Sequence, residues 1–175
     1  LPDICLRTPY SQLQATVDMD MNAFDEVKPG KLMAQLKGAL GRSDLFLFAG
    51  DAFPSAMKKK WPFYPMKIEG SFKGNMQQAS FSGLKLSLPT AFELSADGKV
   101  GNLTDLNRLK ANVDLNARTY HLDFVTAMFD PSLMQEIRVP SGIGIRGNIQ
   151  ADGSRYATRL AITEGRGRMR VDAKI

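Results

Sequence analysis

The chain has 175 residues, 43% hydrophobic and 23% charged, with a net charge of +5. That composition excludes disorder and allows one medium domain, and the charge is too modest to demand a nucleic-acid partner. A single cysteine, Cys5, excludes an internal disulfide and a thiolate metal cluster, and no apolar run reaches the ~18 residues that span a bilayer.

The first element is a strand. Leu13, Ala15, Val17, Met19 and Met21 alternate with Gln14, Thr16, Asp18 and Asp20, a period of two that sends successive apolar groups to one face. The next apolar alternation, through Leu32, Ala34 and Leu36, runs into a stretch of different character at 44–60. That stretch reads as one or two short helices, with Ser43-Asp44 as N-cap and Pro54 opening the second. It ends on Lys58-Lys59-Lys60 followed by Trp61, Phe63 and Tyr64, a mixture that can hold phosphate while the rings pack against bases or sit at a lipid headgroup layer, or a solvated helix end whose lysines answer the dipole.

Alternation resumes at Ile68–Gly70–Phe72. It slips phase at Gly83, because Phe81 is odd-numbered while Leu84, Leu86 and Leu88 are even, which predicts a bulge there. Phe92–Leu94–Ala96 and Leu109–Ala111–Val113–Leu115–Ala117 follow, the latter against Lys110, Asn112, Asp114 and Asn116. Residues 121–137 (HLDFVTAMFDPSLMQEI) read as a second helical insertion, with Pro131 in the place of Pro54. Asp152-Gly153 marks a hairpin. Gly165-Arg166-Gly167-Arg168-Met169-Arg170 resembles an arginine–glycine motif, but alternation explains it: Arg166, Arg168 and Arg170 point to water, while Gly167, Met169 and Val171 face inward. One-sided alternation throughout predicts antiparallel strands with one dry face. The expected fold is mainly β: an elongated, curved antiparallel sheet with two short helical insertions near 44–60 and 121–137.

The insertions occupy matching places. A shift of 77 positions (109 − 32) pairs Leu32 with Leu109, Pro54 with Pro131 and Gly70 with Gly147, with 8 identities over positions 31–76 against roughly three by chance. Two repeat units are expected, roughly 11–88 and 89–165, within one continuous segment 1–175 of a longer protein.

Chemistry is sparse. His121 is the lone histidine, and the carboxylates Asp18, Asp20, Asp25, Glu26 and Asp114 are expected on the polar sides of strands. No phosphate loop, nucleophile elbow, zincin helix or calcium loop occurs. Asn102-Leu103-Thr104 fits a glycosylation sequon, a short and common match. The expectation is a chain that is not an enzyme and has no catalytic, cofactor-binding or metal-binding residues.

Three stretches carry a family resemblance: KIEGSFKGNMQQASFSGL (67–84), FSGLKLSLPTAFELSADGKVGNLTDLNRLKANVDL (81–115) and GIRGNIQADGSRYATRLAITEGRGRMRVDAKI (144–175). Their glycine-bearing strands and NLTDL-type turn resemble the AsmA-like group, and within it the TamB family, the inner-membrane subunit of the translocation and assembly module. The helical insertions depart from the plainest version of that pattern. The resemblance implies that the sheet is a U-shaped (taco-like) periplasmic β-groove in a protein anchored in the inner membrane, working in outer-membrane biogenesis without catalytic residues.

Three functions of different class follow. One is an apolar groove for phospholipid acyl chains in transfer between inner and outer membrane, lined by Leu36, Ile68, Phe72, Leu84, Leu86, Leu94, Val113 and Leu115. Another is a chaperone-like module for nascent outer-membrane β-barrel proteins, with an outer-membrane barrel partner. The third is a spacer with a closed core. No nucleic-acid partner is expected.

Overall fold

A computed structural model describes residues 3–23, 25, 27–75, 77–102, 106–127 and 142–174. Ten strands follow one another in one antiparallel sheet, each paired to its neighbours in sequence. They are β1 Asp3–Arg7, β2 Gln12–Met19, β3 Leu32–Leu40, β4 Met66–Gly74, β5 Gln78–Leu88, β6 Phe92–Gly101, β7 Lys110–Thr119, β8 Ile143–Asp152, β9 Arg155–Glu164 and β10 Gly167–Lys174. The sheet is open, since β1 and β10 each pair on one side only. At about 4.8 Å per strand step, its nine steps give a path of roughly 43 Å from edge to edge.

The α-helices occur at one end of the strands, while a 3₁₀ turn, Leu106–Arg108, joins β6 to β7 at the other. Between β3 and β4 lie α1 Arg42–Ala49, a 3₁₀ turn Gly50–Ala52 and α2 Ser55–Lys60; after β7 comes α3 Asp123–Thr126. The first insertion therefore falls as the sequence predicts. In the second, residues 121–127 lie among the described residues and four of them form α3, while the proposed role of Pro131 lies outside them. β4 and β8 begin 77 residues apart (143 − 66), as do β5 and β9 (155 − 78), the same offset as the sequence identities.

The expected bulge is present. β5 pairs Phe81 with Gly98 and Leu84 with Ala96, so Ser82 and Gly83 together oppose Asp97 alone. Gly83 sits in the left-handed region (φ 59), where a side chain would be strained, and its N–H donates to Asp97 Oδ1 at 2.6 Å. The extra residue returns Leu84, Leu86 and Leu88 to the face that Phe81 occupies.

The compact core is small and lies under the helices. Leu45, Trp61, Leu88, Ala91 and Phe124 are buried, and Leu40, Phe46, Phe53, Met57, Met66 and Phe92 pack against them. Trp61 is the hub: its ring meets Phe124 at 4.9 Å, Phe53 at 5.6 Å and Phe46 at 5.7 Å, all edge to face. Such pairs contribute ~0.5–1.5 kcal/mol each beyond their buried area. Leu40, Met66, Leu88 and Phe92 come from the strand ends of β3, β4, β5 and β6, so the helices form a plug over one end of the sheet's apolar face.

The sequence places the α1 N-cap at Ser43-Asp44, but the N-cap is Gly41 and the helix begins at Arg42. Asp44 does a different task. It is buried, and both Ser11 and Thr8 donate their hydroxyls to its Oδ2. Ser11 Oγ also accepts from Gly41 N at 2.9 Å, which ties the β1–β2 turn to the start of α1. The Ser11 hydroxyl first, then that of Thr8, holds the Asp44 carboxyl below the usual carboxylate range, against the opposing effect of burial.

Two outcomes are expected. Leu88→Ala should destabilise by about 3 kcal/mol in urea melts, while Leu86→Ala, two residues along the same face but half-buried, should cost about half as much or less. Equal losses would show that the helical plug is no denser than the rest of the face. Asp44→Asn should lower Tm at neutral pH, and the gap to wild type should narrow as pH falls through about 4. A lowered folded pKa gives stability present above the unfolded value and lost on acidification; a gap independent of pH would exclude that origin.

Candidate functional site

The register lets side chains be followed across the sheet, because residues directly opposite share a face. One row runs Leu6, Leu13, Gly38, Ile68, Leu86, Leu94, Ala117, Ile145, Ile162 and Met169, one residue from each strand. The row beside it runs Ile4, Ala15, Leu36, Gly70, then Leu84 across the bulge, Ala96, Leu115, Gly147, Leu160 and Val171. No polar side chain interrupts either row. A third row continues through Val17, Ala34, Phe72, Phe81, Gly98, Val113 and Ile149.

All eight residues predicted to line the face, Leu36, Ile68, Phe72, Leu84, Leu86, Leu94, Val113 and Leu115, lie in these rows. Each is half-buried, unlike Leu88 beneath the plug, and among the described residues no second layer covers them. Among the described residues the face is thus half-open to solvent. Sequence reasoning did not include Phe81, Ile145, Leu160 and Ile162, which share the face. Their signal was the same alternation, carried through the phase change at Gly83 and into β8 and β9.

Glycines notch the rows. A Cβ on Gly98 would stand 2.7 Å from Asn112 O and 3.0 Å from Phe81 Cζ, so the Phe81 ring lies over the space that a side chain would need. Gly70 receives Leu84 in the same way, its Cβ position lying 3.3 Å from Leu84 Cδ1. Large groups thus fold over glycines across the strand gap, which smooths the face and accounts for the half-burial of Phe81 and Leu84.

The opposite face is polar and carries clefts. One of about 1090 Å³, at the end remote from the helices, has Lys73, Ser80, Lys99, Asn112, Gln150 and Lys174 along a single row of strand partners, with Arg155 beside them. Another of about 1010 Å³ lies over β6–β10, lined by Asp97, Asp114, Asn148, Arg159 and Arg170 among others. Asp97 and Asp114 are directly opposed, an unfavourable pairing of like charges. Donors relieve it: Gly83 N serves Asp97, and Asn148 Nδ2 serves Asp114 at 2.9 Å. Arg168 and Arg170 fall on this polar face and Met169 and Val171 on the apolar one, as alternation predicts, whereas Arg166 lies in the turn before β10.

Other candidates from the sequence are dispersed. His121 is exposed beside the start of α3, and Cys5 is an exposed free thiol on β1. Asp25 accepts from the backbone N–H of Lys28 and Val27, which hold its carboxyl below the usual range, and Asp20 accepts from Lys31 N. These are loop-closing contacts: Asp20 and Asp25 lie in the β2–β3 connection and not on the polar side of a strand, where the sequence places them. Asn102 of the sequon donates Nδ2–H to Arg108 O at 2.7 Å, while Leu103 and Thr104 lie outside the described residues, as does Glu26. Among the described residues no group of three or more His, Cys, Asp or Glu side chains is placed to hold a metal ion. No helix among them is long and apolar enough to cross a membrane.

The fold and its faces define an open, single-sheet β-meander with one apolar and one polar side. The chain matches no family model, no curated protein and no solved structure.

Proposed function

We propose that the apolar sheet face carries phospholipid acyl chains between inner and outer membrane, as the periplasmic segment of a longer protein anchored in the inner membrane. The observation that carries this reading is the pair of apolar rows that cross all ten strands without a polar interruption and without a covering layer among the described residues. A surface of that extent is costly to leave in water unless an apolar ligand uses it. An acyl chain laid along it gains ~0.8 kcal/mol for each methylene removed from water. The rows run across strands, so a chain can slide from one strand to the next without meeting a charge. Support also comes from the resemblance of 67–84, 81–115 and 144–175 to the TamB and AsmA-like proteins.

A second reading draws on the edges. β1 and β10 each leave one side of the backbone unpaired, which is where an extended segment of a nascent outer-membrane barrel protein can add as a further strand. In that reading the chain is a chaperone-like assembly module.

Photocrosslinking in cells separates the two. Crosslinkers at Leu36, Ile68, Phe72, Leu84, Leu86, Leu94, Val113 and Leu115 are expected to capture lipid, and those at Gln35 and Lys85, on the opposite face, to capture none. Leu115→Asp with Val113→Asp should abolish capture from neighbouring positions. Crosslinks to lipid from Gln35 and Lys85 alone would sink the lipid reading, and capture of barrel proteins at β1 or β10 would favour the second.

A further inference from the structure

The insertion between β3 and β4 exposes apolar groups that the plug does not use. α1 turns Leu45 and Phe46 toward Trp61, but the next two residues, Leu47 and Phe48, are 76% and 68% exposed. In the loop after α2, Trp61 is buried while Phe63 and Tyr64 are 86% and 54% exposed. The sequence groups Trp61 with Phe63 and Tyr64; the fold separates them and adds Leu47 and Phe48 to the exposed set. A helix on a soluble surface sets polar residues opposite its buried stripe, and α1 instead reads Leu45-Phe46-Leu47-Phe48.

Cations accompany them. Lys58, Lys59 and Lys60 fill the last turn of α2, and among the described residues none lies within 4.0 Å of a carboxylate. Arg42 joins the parts. Its Nη2 donates to Lys58 O at 2.7 Å and its guanidinium lies 4.9 Å from the centre of the Phe63 ring, so the start of α1, the end of α2 and the exposed loop are held together. Lys60, Phe63 and Tyr64 line one cleft of about 400 Å³ with His121.

We propose that this end of the molecule docks on the surface of an anionic lipid bilayer, with Leu47, Phe48 and Phe63 in the acyl boundary and Lys58, Lys59 and Lys60 over the headgroups. Charge complementarity selects this occupant. Exposed Leu and Phe next to lysines, with a tyrosine whose ring is apolar and whose hydroxyl is polar, is the combination that lies in the interface of an anionic membrane. A single-stranded nucleic acid would use the lysines and rings but has no place for Leu47. The surface lies outside the apolar rows, so the inference is independent of whether the sheet face carries acyl chains.

Sedimentation with vesicles tests it. The chain is expected to pellet with phosphatidylcholine vesicles containing roughly one phosphatidylglycerol in four, and not with phosphatidylcholine alone. Replacing Lys58, Lys59 and Lys60 together by Ala should weaken binding roughly 100-fold, and Leu47→Ser with Phe48→Ser should abolish it. The emission of Trp61, buried in the plug, reports whether each variant is folded. Should the Leu47/Phe48 variant shift that emission, the lysine variant decides alone. Val113→Asp with Leu115→Asp, on the sheet face, should leave sedimentation unchanged, which separates failure here from failure of the acyl-chain reading. Unaltered binding by the folded lysine variant, equal binding to both vesicle types, or binding to neither would overturn the proposal. So would crosslinks from Leu47 and Phe48 that capture protein in place of lipid.

Discussion

Side chains along a strand alternate between faces, so a single extra residue turns everything beyond it to the other side. β5 carries such an extra residue at the centre of the sheet. Had Ser82 and Gly83 been paired one to one, Leu84, Leu86 and Leu88 would stand among Lys37, Glu69 and Lys67, and the plug would lose its fully buried leucine. Gly83 absorbs the slip because it can take a left-handed conformation without a Cβ, and Asp97 fixes the bulge by accepting its N–H. Both the apolar rows and the core under the helices depend on that local geometry.

The plug resolves a second constraint. A single sheet buries no side chain fully unless something lies on it, and two-layer packing is the usual solution. Here the second layer, among the described residues, covers the ends of the central strands, with Trp61 and Phe124 packed with Leu88 in one cluster. The inner eight strands pair with a neighbour on both sides, which holds the sheet together where no described residue covers the apolar rows. Asp44 then anchors the helices to the β1–β2 turn, so the plug is tied both to the central strands and to the edge hairpin.

The faces were legible in the sequence because period two needs no tertiary information. Leu36, Ile68, Phe72, Leu84, Leu86, Leu94, Val113 and Leu115 share a face for the same reason that they alternate with polar neighbours. The bulge was legible for a related reason, since a phase change beside a glycine has few other causes. What the plug does was not. Trp61 follows three lysines and precedes two exposed aromatics, and it becomes a core residue through Phe46 and Phe53 of the same insertion and Phe124, more than sixty residues away. Asp44 has the chemistry of an N-cap, yet hydroxyls from a distant turn claim it and the cap moves to Gly41. Local patterns report local periodicity; partners brought together by the fold leave no such trace.

The two faces also divide the molecule electrostatically. Within the open rows the strands put Leu, Ile, Val, Ala, Phe, Met and Gly on one side, while Lys73, Lys99, Asp97, Asp114, Arg159 and Asp172 stand on the other. Arg159 and Arg170 both reach Asp172, at 3.2 and 3.1 Å, so these two cations find their partner on the polar side. These pairs are exposed and contribute little to stability. Their effect is positional: long cationic side chains that find partners on the polar side have no cause to fold around an edge strand toward the apolar one. The edges show the cost of having a neighbour on one side only, because Ile4 and Met169 belong to the same apolar rows yet are more than half exposed. Continuity of the face is therefore a property of the paired interior of the sheet, where each strand supplies the neighbour that half-buries the next.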